Sequence, residues 1–303
     1  MSEKPEPMTH DRKAWPAGVV ERVSPLVRRL ICGNGGPFTF TGTCSYIVGE
    51  GRVAVIDPGP ENEAHLQALL AATAGETIER VLVTHTHRDH SPGARALKAA
   101  TGAPIVGCAR HAPIEHDASG RLDASHDLDH DPDETLRDGD VVSGAGFSLS
   151  AVHTPGHASN HLCFALKEEN ALFSGDHVMA WSTTIVAPPD GAMSDYMASL
   201  DKLRARGETI MWPGHGGPVR EPARYMRALA THRRLREAAI VSAIAQGDRT
   251  LREIVARVYD GLDPRLVGAA GLSALAHLED LVARGKIRAS GPAAVGAVYE
   301  PAG

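Results

Sequence analysis

The chain has 303 residues, a formal net charge of −6, 43% hydrophobic residues and 22% charged residues. That balance excludes a disordered chain, and the length suits two domains better than one. No uninterrupted run of eighteen apolar residues occurs, so no membrane span is expected. The polar start, MSEKPEPMTHDRKAW, has no apolar signal core, so a cytoplasmic protein is expected.

Residues 1–18 read as a flexible N-terminal tail. Short strands follow over 19–60, where VERVSPLVRRLIC and CSYIVGEGRVAVIDPG carry β-branched, turn-bounded patterns. Residues 61–73 are predicted helical, with Leu66, Leu69 and Leu70 on one face. A short buried strand covers 80–84. Ser91-Pro92 then opens a helix over GARALKAA, and another strand covers 103–108. Residues 111–140 form an acidic, turn-rich excursion ending at Asp138-Gly139. Its 115–134 part, with His116, His126 and His130 among aspartates, is expected to be a solvated loop rather than a metal trap. Three further strands are predicted: VVSGAGFSLSAVHT, HLCFALK and ALFSGD. An amphipathic helix over 194–206 and a last strand and loop, ETIMWPGHG, close this part at 220.

Residues 221–303 differ in kind. Three helices are expected, one long, one capped by Thr250, and one ending at Gly285. Two short strands follow, which is the outline of a winged helix. This segment holds 12 basic and 9 acidic residues, a net of +3, against 19 and 28 in residues 1–220, a net of −9. Arg233, Arg234 and Arg236 form its basic cluster, a possible weak phosphate track or a solvated helix face.

Cys32, Cys44, Cys108 and Cys163 are isolated, and without a signal segment they read as reduced thiols. The sixteen histidines are more informative, because neutral imidazole is the commonest metal ligand. His85, His87, Asp89 and His90 lie within six residues, between an apolar strand and a helix start. In an extended loop, His85 and His87 project to one side. His157, Asp176 and His215 each stand at a predicted strand end beside glycine, where backbone and ligand can approach closely.

The segment His85-Thr86-His87-Arg88-Asp89-His90 resembles the HxHxDH motif of the metallo-β-lactamase fold hydrolases, and the likeness covers about residues 19–220. The resemblance implies an α/β (α+β) fold: a four-layer αββα sandwich of two mixed sheets with metals at one edge. It implies that His85, His87 and His157 hold a first zinc. Asp89, His90 and His215 hold a second, and Asp176 bridges both. Imidazole and carboxylate suit zinc, and also iron or manganese. Two such ions about 3.5–4 Å apart share a water and bring its pKa towards about 7, so a bridging hydroxide is the expected nucleophile. Asp57 is the candidate to hold the far nitrogen of a ligating histidine. Asp89 is also expected to be catalytic. His161 is read either as an oxyanion donor or as a structural residue starting a strand.

Further segments are similar to the beta-lactamase-like protein 2 branch. They are Gly36-Pro37-Phe38-Thr39, Gly42-Thr43, Ser182-Thr183-Thr184 leading to Ala187–Gly191, His232-Arg233, Tyr259–Arg265 and Leu275–Leu278. Cys44-Ser45 stands where that branch has Asn-Thr. The branch carries a C-terminal winged helix, and one member is an endoribonuclease acting on single-stranded RNA. A metal-dependent hydrolase is therefore expected. Its substrate would be a small carbonyl compound (ester, thioester or lactone) or single-stranded RNA, with promiscuous β-lactam opening as a further activity. A vestigial hydrolase serving as a nucleic-acid-binding regulator is the contrasting expectation, and a homodimer is possible.

Overall fold

A computed structural model describes residues 15–112 and 126–302. Residues 1–14 of the expected tail therefore lie outside the described residues, as does the 115–125 part of the acidic stretch with His116. Trp15 belongs to the fold: the Arg29 guanidinium sits 4.3 Å over its ring.

The first sheet has seven strands in sequence order. They are β1 (Val20–Arg22), β2 (Val27–Ile31), β3 (Cys44–Val48), β4 (Arg52–Ile56), β5 (Thr77–Val83), β6 (Ile105–Gly107) and β7 (Glu134–Thr135). The first four pair antiparallel, and the rest continue in parallel. Parallel neighbours need crossovers, and helices α1 (Glu63–Ala72) and α2 (Gly93–Thr101) supply two of them. Asn62 caps α1 by accepting from the His65 amide, and Pro92 precedes α2 without a side-chain cap.

The second sheet has five strands, in the order β12-β11-β10-β9-β8. Its members are β8 (Val141–Gly144), β9 (Phe147–His153), β10 (Leu162–Leu166), β11 (Ala171–Gly175) and β12 (Ile210–Pro213). The segment expected to be one strand, VVSGAGFSLSAVHT, is a hairpin of β8 and β9. Gly144 and Gly146 make the turn: a Cβ on Gly144 would lie 2.2 Å from the Phe147 ring, and Gly146 has φ +84°.

Period-two alternation sorts this sheet's side chains between two cores. Leu162, Phe164 and Leu166 join Tyr46, Leu82 and Phe173 between the sheets. Cys163 and Ala165 face the other way, towards Tyr196, Leu200 and Leu203 of α3 (Met193–Arg204). The mixed α/β sandwich expected from the motif is the fold observed.

The last part of the acidic stretch is tied to the fold at two aspartates, while Asp129, Asp131 and Glu134 stay exposed. Asp127 accepts from Ser91 and Arg95, and Asp133 accepts from Lys98 and the Ile105 amide. Arg95 and Lys98 of α2 thus pair with two of its aspartates, and β7 adds to the sheet. All four cysteines are free and buried.

Helix α4 (Pro222–Ala245) serves two cores. Tyr225, Met226 and Leu229 pack on the α3 side, whereas Ile240 and Ile244 join the C-terminal cluster. That cluster is completed by α5 (Leu251–Val258), α6 (Val267–Ala283), β13 (Ile287–Ala289) and β14 (Tyr299–Pro301). Thr250 and Glu253 form a reciprocal capping box on α5. These helices and the antiparallel β13–β14 pair make the expected winged helix. Residues Pro264–Ala283 are long and apolar enough to cross a membrane by length and composition alone, although polar residues interrupt the run. In the fold, α6 is the central helix of this small domain, with Leu275, Leu278 and Leu281 buried.

The basic cluster is largely used inside the protein. Arg233 is buried, donates to the Thr184 carbonyl and lies 4.9 Å over the Tyr196 ring. Arg236 donates to the Val258 carbonyl and lies 4.2 Å over Tyr259. Only Arg234 of the three is fully exposed. Arg233→Ala therefore removes a buried charge-assisted bond and is expected to cost about 2–3 kcal/mol. Arg234→Ala should stay within about 0.5 kcal/mol. Thermal melts of both variants check this, and equal melting temperatures would contradict the structural role of Arg233.

Gly156 marks the closest approach of the 153–157 turn to α3. Its φ is +135°, and a Cβ there would lie 2.3 Å from Tyr196 Cα. Gly156→Ala is expected to destabilise by about 1–3 kcal/mol. The melting temperature should fall by about 2–4 °C for each kcal/mol. An unchanged melt would show that the turn relaxes freely.

Candidate metal centre

Strands β9, β11 and β12 run in one direction, as do β4 and β5. The chain leaves the C-terminal ends of all five at a single edge. Asp57 follows β4, and His85 and His87 follow β5. His157 follows β9, Asp176 follows β11, and His215 follows β12. Asp89 and His90 lie in the turn into α2.

The seven side chains singled out in the sequence converge there. His85 Nε2 is 3.0 Å from His87 Nδ1, which is 2.9 Å from His157 Nε2. His90 Nε2 and His215 Nε2 are 3.3 Å apart, and Asp89 Oδ2 lies 3.1 Å from His215 Nε2. Asp176 stands between the two groups. Its carboxylate is 3.5 Å from His90, 3.4 Å from His215 and 3.7 Å from His157. Gly214 permits this crowding, since a Cβ there would lie 2.5 Å from Asp176 Oδ1 and 2.6 Å from His90 Cε1.

The outer nitrogens explain why the inner ones face each other. The Ile185 carbonyl accepts from His157 Nδ1 at 2.7 Å, and the Gly42 carbonyl accepts from His215 Nδ1 at 3.2 Å. Asp57 Oδ2 accepts from His90 Nδ1 at 2.9 Å, as expected for this aspartate. Thr84 Oγ1 donates to the same oxygen at 2.7 Å, so its own lone pair is left to accept from His85 Nδ1 at 3.0 Å. Asp57 Oδ1 takes the Thr84 amide at 2.8 Å. A carbonyl or carboxylate can only accept, so these four rings carry a proton on Nδ1 and turn Nε2 inwards. Thr84, Ile185 and Gly42 were not foreseen in the sequence. The two backbone carbonyls carry no side-chain signature.

The electrostatics divide the cluster. Burial, reinforced by neighbouring imidazoles, holds His85 and His87 well below the usual histidine pKa, so both are neutral. Burial also opposes protonation of His90 and His215, but the surrounding carboxylates win. Asp89, Asp176 and Asp57 hold His90 well above its ordinary value, and Asp176 and Asp89 push His215 up to about 9. Asp89 and Asp176 resist burial in the reverse sense and stay well below the usual carboxylate range, beside His90 and His215. Buried Asp176 and half-buried Asp89 therefore create a field that favours positive charge.

These donors fit metal ions. Tetrahedral bonds of about 2.0–2.1 Å place neighbouring ligand atoms about 3.3 Å apart, close to the spacings above. His85 Nε2 and His157 Nε2 both face His87 Nδ1, at 3.0 and 2.9 Å, so one cation could take a lone pair from each of the three rings. Asp176 Oδ1 is buried without a hydrogen-bond partner. The groups His85–His87–His157, His85–His90–Asp176 and Asp89–His90–His215 each bring three ligand atoms within 4.8 Å of one another.

His161 lies beside this cluster, fully buried. Its Nε2 accepts the Asp176 amide at 3.2 Å, and its Nδ1 meets Thr154 Oγ1 at 2.8 Å. Both nitrogens are engaged, so the ring has no proton to offer an oxyanion. The structural role is the one this geometry serves: His161 supports the turn that presents Asp176. His177 is buried against Tyr196, and burial lowers its pKa to about 3. His153 is exposed. Ser45 Oγ donates to the Asp57 carbonyl at 2.5 Å and lies 2.8 Å from His65 Nε2. The Cys44-Ser45 pair therefore supports the Asp57 turn.

Comparison with known proteins agrees with the geometry. Residues 38–215 match the metallo-beta-lactamase superfamily, and residues 250–293 match the beta-lactamase associated winged helix domain. Among curated proteins, the chain is 32% identical to an atrochrysone carboxyl ACP thioesterase of Aspergillus fumigatus, over 78% of this chain and 70% of that protein. It is 29% identical to the protein of that name from Aspergillus terreus, over 82% and 76% respectively. Among solved structures, a beta-lactamase domain protein from Burkholderia ambifaria aligns with a TM-score of 0.77 at 22% identity, over 95% of both chains. A metallo-beta-lactamase family protein from Thermus thermophilus aligns at 0.72 and 24% identity, over 92% of this chain and 100% of that one. Those two likenesses bear on the fold. The sandwich, its convergent histidines and aspartates, and the two matched segments make this chain a hydrolase of the metallo-beta-lactamase superfamily with its associated winged-helix domain.

Proposed function

We propose that this chain is a dinuclear zinc-dependent hydrolase of acyl thioesters. The observation that carries the metal assignment is the set of inward-facing imidazole nitrogens around Asp176. The thioesterase relatives supply the substrate class. His85, His87 and His157 would hold one ion, and Asp89, His90 and His215 a second. Asp176 would touch both, its carboxylate lying between the two groups. Bound there, two zinc ions supply an acidified water as nucleophile and Lewis acidity towards the carbonyl oxygen.

The chain's own residues do the rest. Asp57 and Thr84 fix the tautomers of His90 and His85, and Ile185 and Gly42 fix those of His157 and His215. The carboxylates of Asp89 and Asp176 draw cations in. Gly36, Pro37 and Trp181 line a cavity of about 500 Å³ together with Asp263, Arg265 and Leu266. Trp181 packs against Gly216, next to His215, and stacks on Phe40 at 5.1 Å. Both domains therefore shape this cavity, and the acyl group is assigned to it. A thiolate leaves more readily than an alkoxide, so no dedicated proton donor to the leaving group is required.

Three outcomes test this. The as-isolated protein should hold two zinc ions per chain by elemental analysis and should cleave an acyl thioester. Chelation or His87→Ala should lower that activity at least 100-fold. Undiminished hydrolysis after complete metal removal would contradict the assignment, as would a preference for RNA or a β-lactam in one substrate panel. Asp57→Asn keeps the size of the side chain and weakens its acceptor role. Its zinc affinity should fall about 10–100-fold, read by competition with a chelating dye. Unchanged affinity would remove Asp57 from the account.

A further inference from the structure

A second cluster of ligand-type side chains lies outside the seven-residue centre. His111, His126 and Asp190 bring their ligand atoms within 4.8 Å of one another. The two imidazoles stack in parallel, with centroids 3.7 Å apart and planes at 9°. Both face one carboxylate: His111 Nδ1 lies 3.7 Å from Asp190 Oδ1, and His126 Nε2 lies 3.8 Å from Asp190 Oδ2. The Asp190 and His111 side chains are 9% and 1% exposed. Among the described residues, no lysine or arginine pairs with Asp190.

We infer that His111, His126 and Asp190 form a third divalent-metal site, for a borderline ion such as zinc. Three features point to a ligand. Among the described residues, both nitrogens of His111 are buried without a hydrogen-bond partner, which is unfavourable for a polar group unless a ligand satisfies it. Asp190 is already aimed and held, since Ser159 Oγ donates to its Oδ1 at 2.5 Å and the Ser159 amide to its Oδ2 at 3.1 Å. Each oxygen keeps a lone pair for a cation. The 3.7 and 3.8 Å gaps approach the edge of a tetrahedral site, about 3.3 Å, and the two rings would tilt out of their parallel stack to turn both lone pairs to one ion. Two imidazoles and a carboxylate form a borderline donor set.

The site adjoins the main centre without sharing a ligand. The His126 ring lies 4.7 Å from that of His87, and the two residues form a backbone bridge. Ser159 lies two residues beyond His157. An ion held here would stand beside the main centre.

The test is a zinc count by titration of the chelator-stripped full chain against a chromogenic chelator. Wild type should bind one equivalent more than His111→Ala and one more than Asp190→Asn. Near-ultraviolet circular dichroism confirms that each variant is folded. Asp190→Asn carries the test if His111→Ala does not fold, because it preserves side-chain size. Equal counts in wild type and folded variants overturn the third site, whatever the count is. The absolute number remaining in the variants bears separately on the main centre, where two is expected.

Discussion

The centre depends on one buried carboxylate that is not among its proposed ligands. Asp57 sits at the end of β4 with φ +49°, a conformation rare for residues other than glycine but tolerated by aspartate. From there its two oxygens take three hydrogen bonds: the Thr84 amide, the Thr84 hydroxyl and the His90 ring. Because the hydroxyl proton goes to Asp57, the Thr84 oxygen is free to accept from His85. One carboxylate thereby sets the tautomer of a histidine in each half of the centre. Rotation or neutralisation of Asp57 would release both rings together.

The fold exists to hold that arrangement in place. Two sheets pack face to face, and their parallel segments end at a common edge, so residues far apart in sequence arrive within hydrogen-bonding or ion-pairing distance of one another. Glycine permits the last approach, as Gly214 does beside Asp176 and His90. The C-terminal domain is anchored through α4, whose first half packs with α3 and whose second half packs with α5 and α6. Arg233 ties α4 to the Thr184 carbonyl, in the segment that also presents Ile185 to His157. The appended domain is therefore coupled to the support of a proposed metal ligand.

Much of this was legible in the sequence, for identifiable reasons. His85, His87, Asp89 and His90 are adjacent, so their spacing alone shows a shared direction. His157, Asp176 and His215 follow apolar strands and stand beside glycine, a local signature that survives without knowledge of the fold. The Thr250 cap and the glycine-terminated helices outlined the winged helix in the same way. Other features rest on tertiary placement. The β8–β9 hairpin was read as one strand because Gly144 and Gly146 sit in a stretch whose apolar residues continue on both sides. Arg233 and Arg236 looked like surface charge because their partners, carbonyls of Thr184 and Val258, have no side-chain signal. His161 lost its oxyanion role to a bond from the Asp176 amide. The acidic stretch looked solvated because the Arg95 and Lys98 that pair with two of its aspartates lie on another element.

The central claim concerns where the protons sit on five histidines, and nitrogen-detected nuclear magnetic resonance reads this directly. With imidazole nitrogens labelled and zinc bound, His85, His90, His157 and His215 should each carry a proton on Nδ1 and coordinate through Nε2. His87 should show the opposite pattern, coordinating through Nδ1. In Asp57→Asn, the His85 and His90 signals should change while those of His157 and His215 stay. A proton on Nε2 of His85 or His90 in the wild type would contradict the account, as would indifference of both rings to the loss of Asp57.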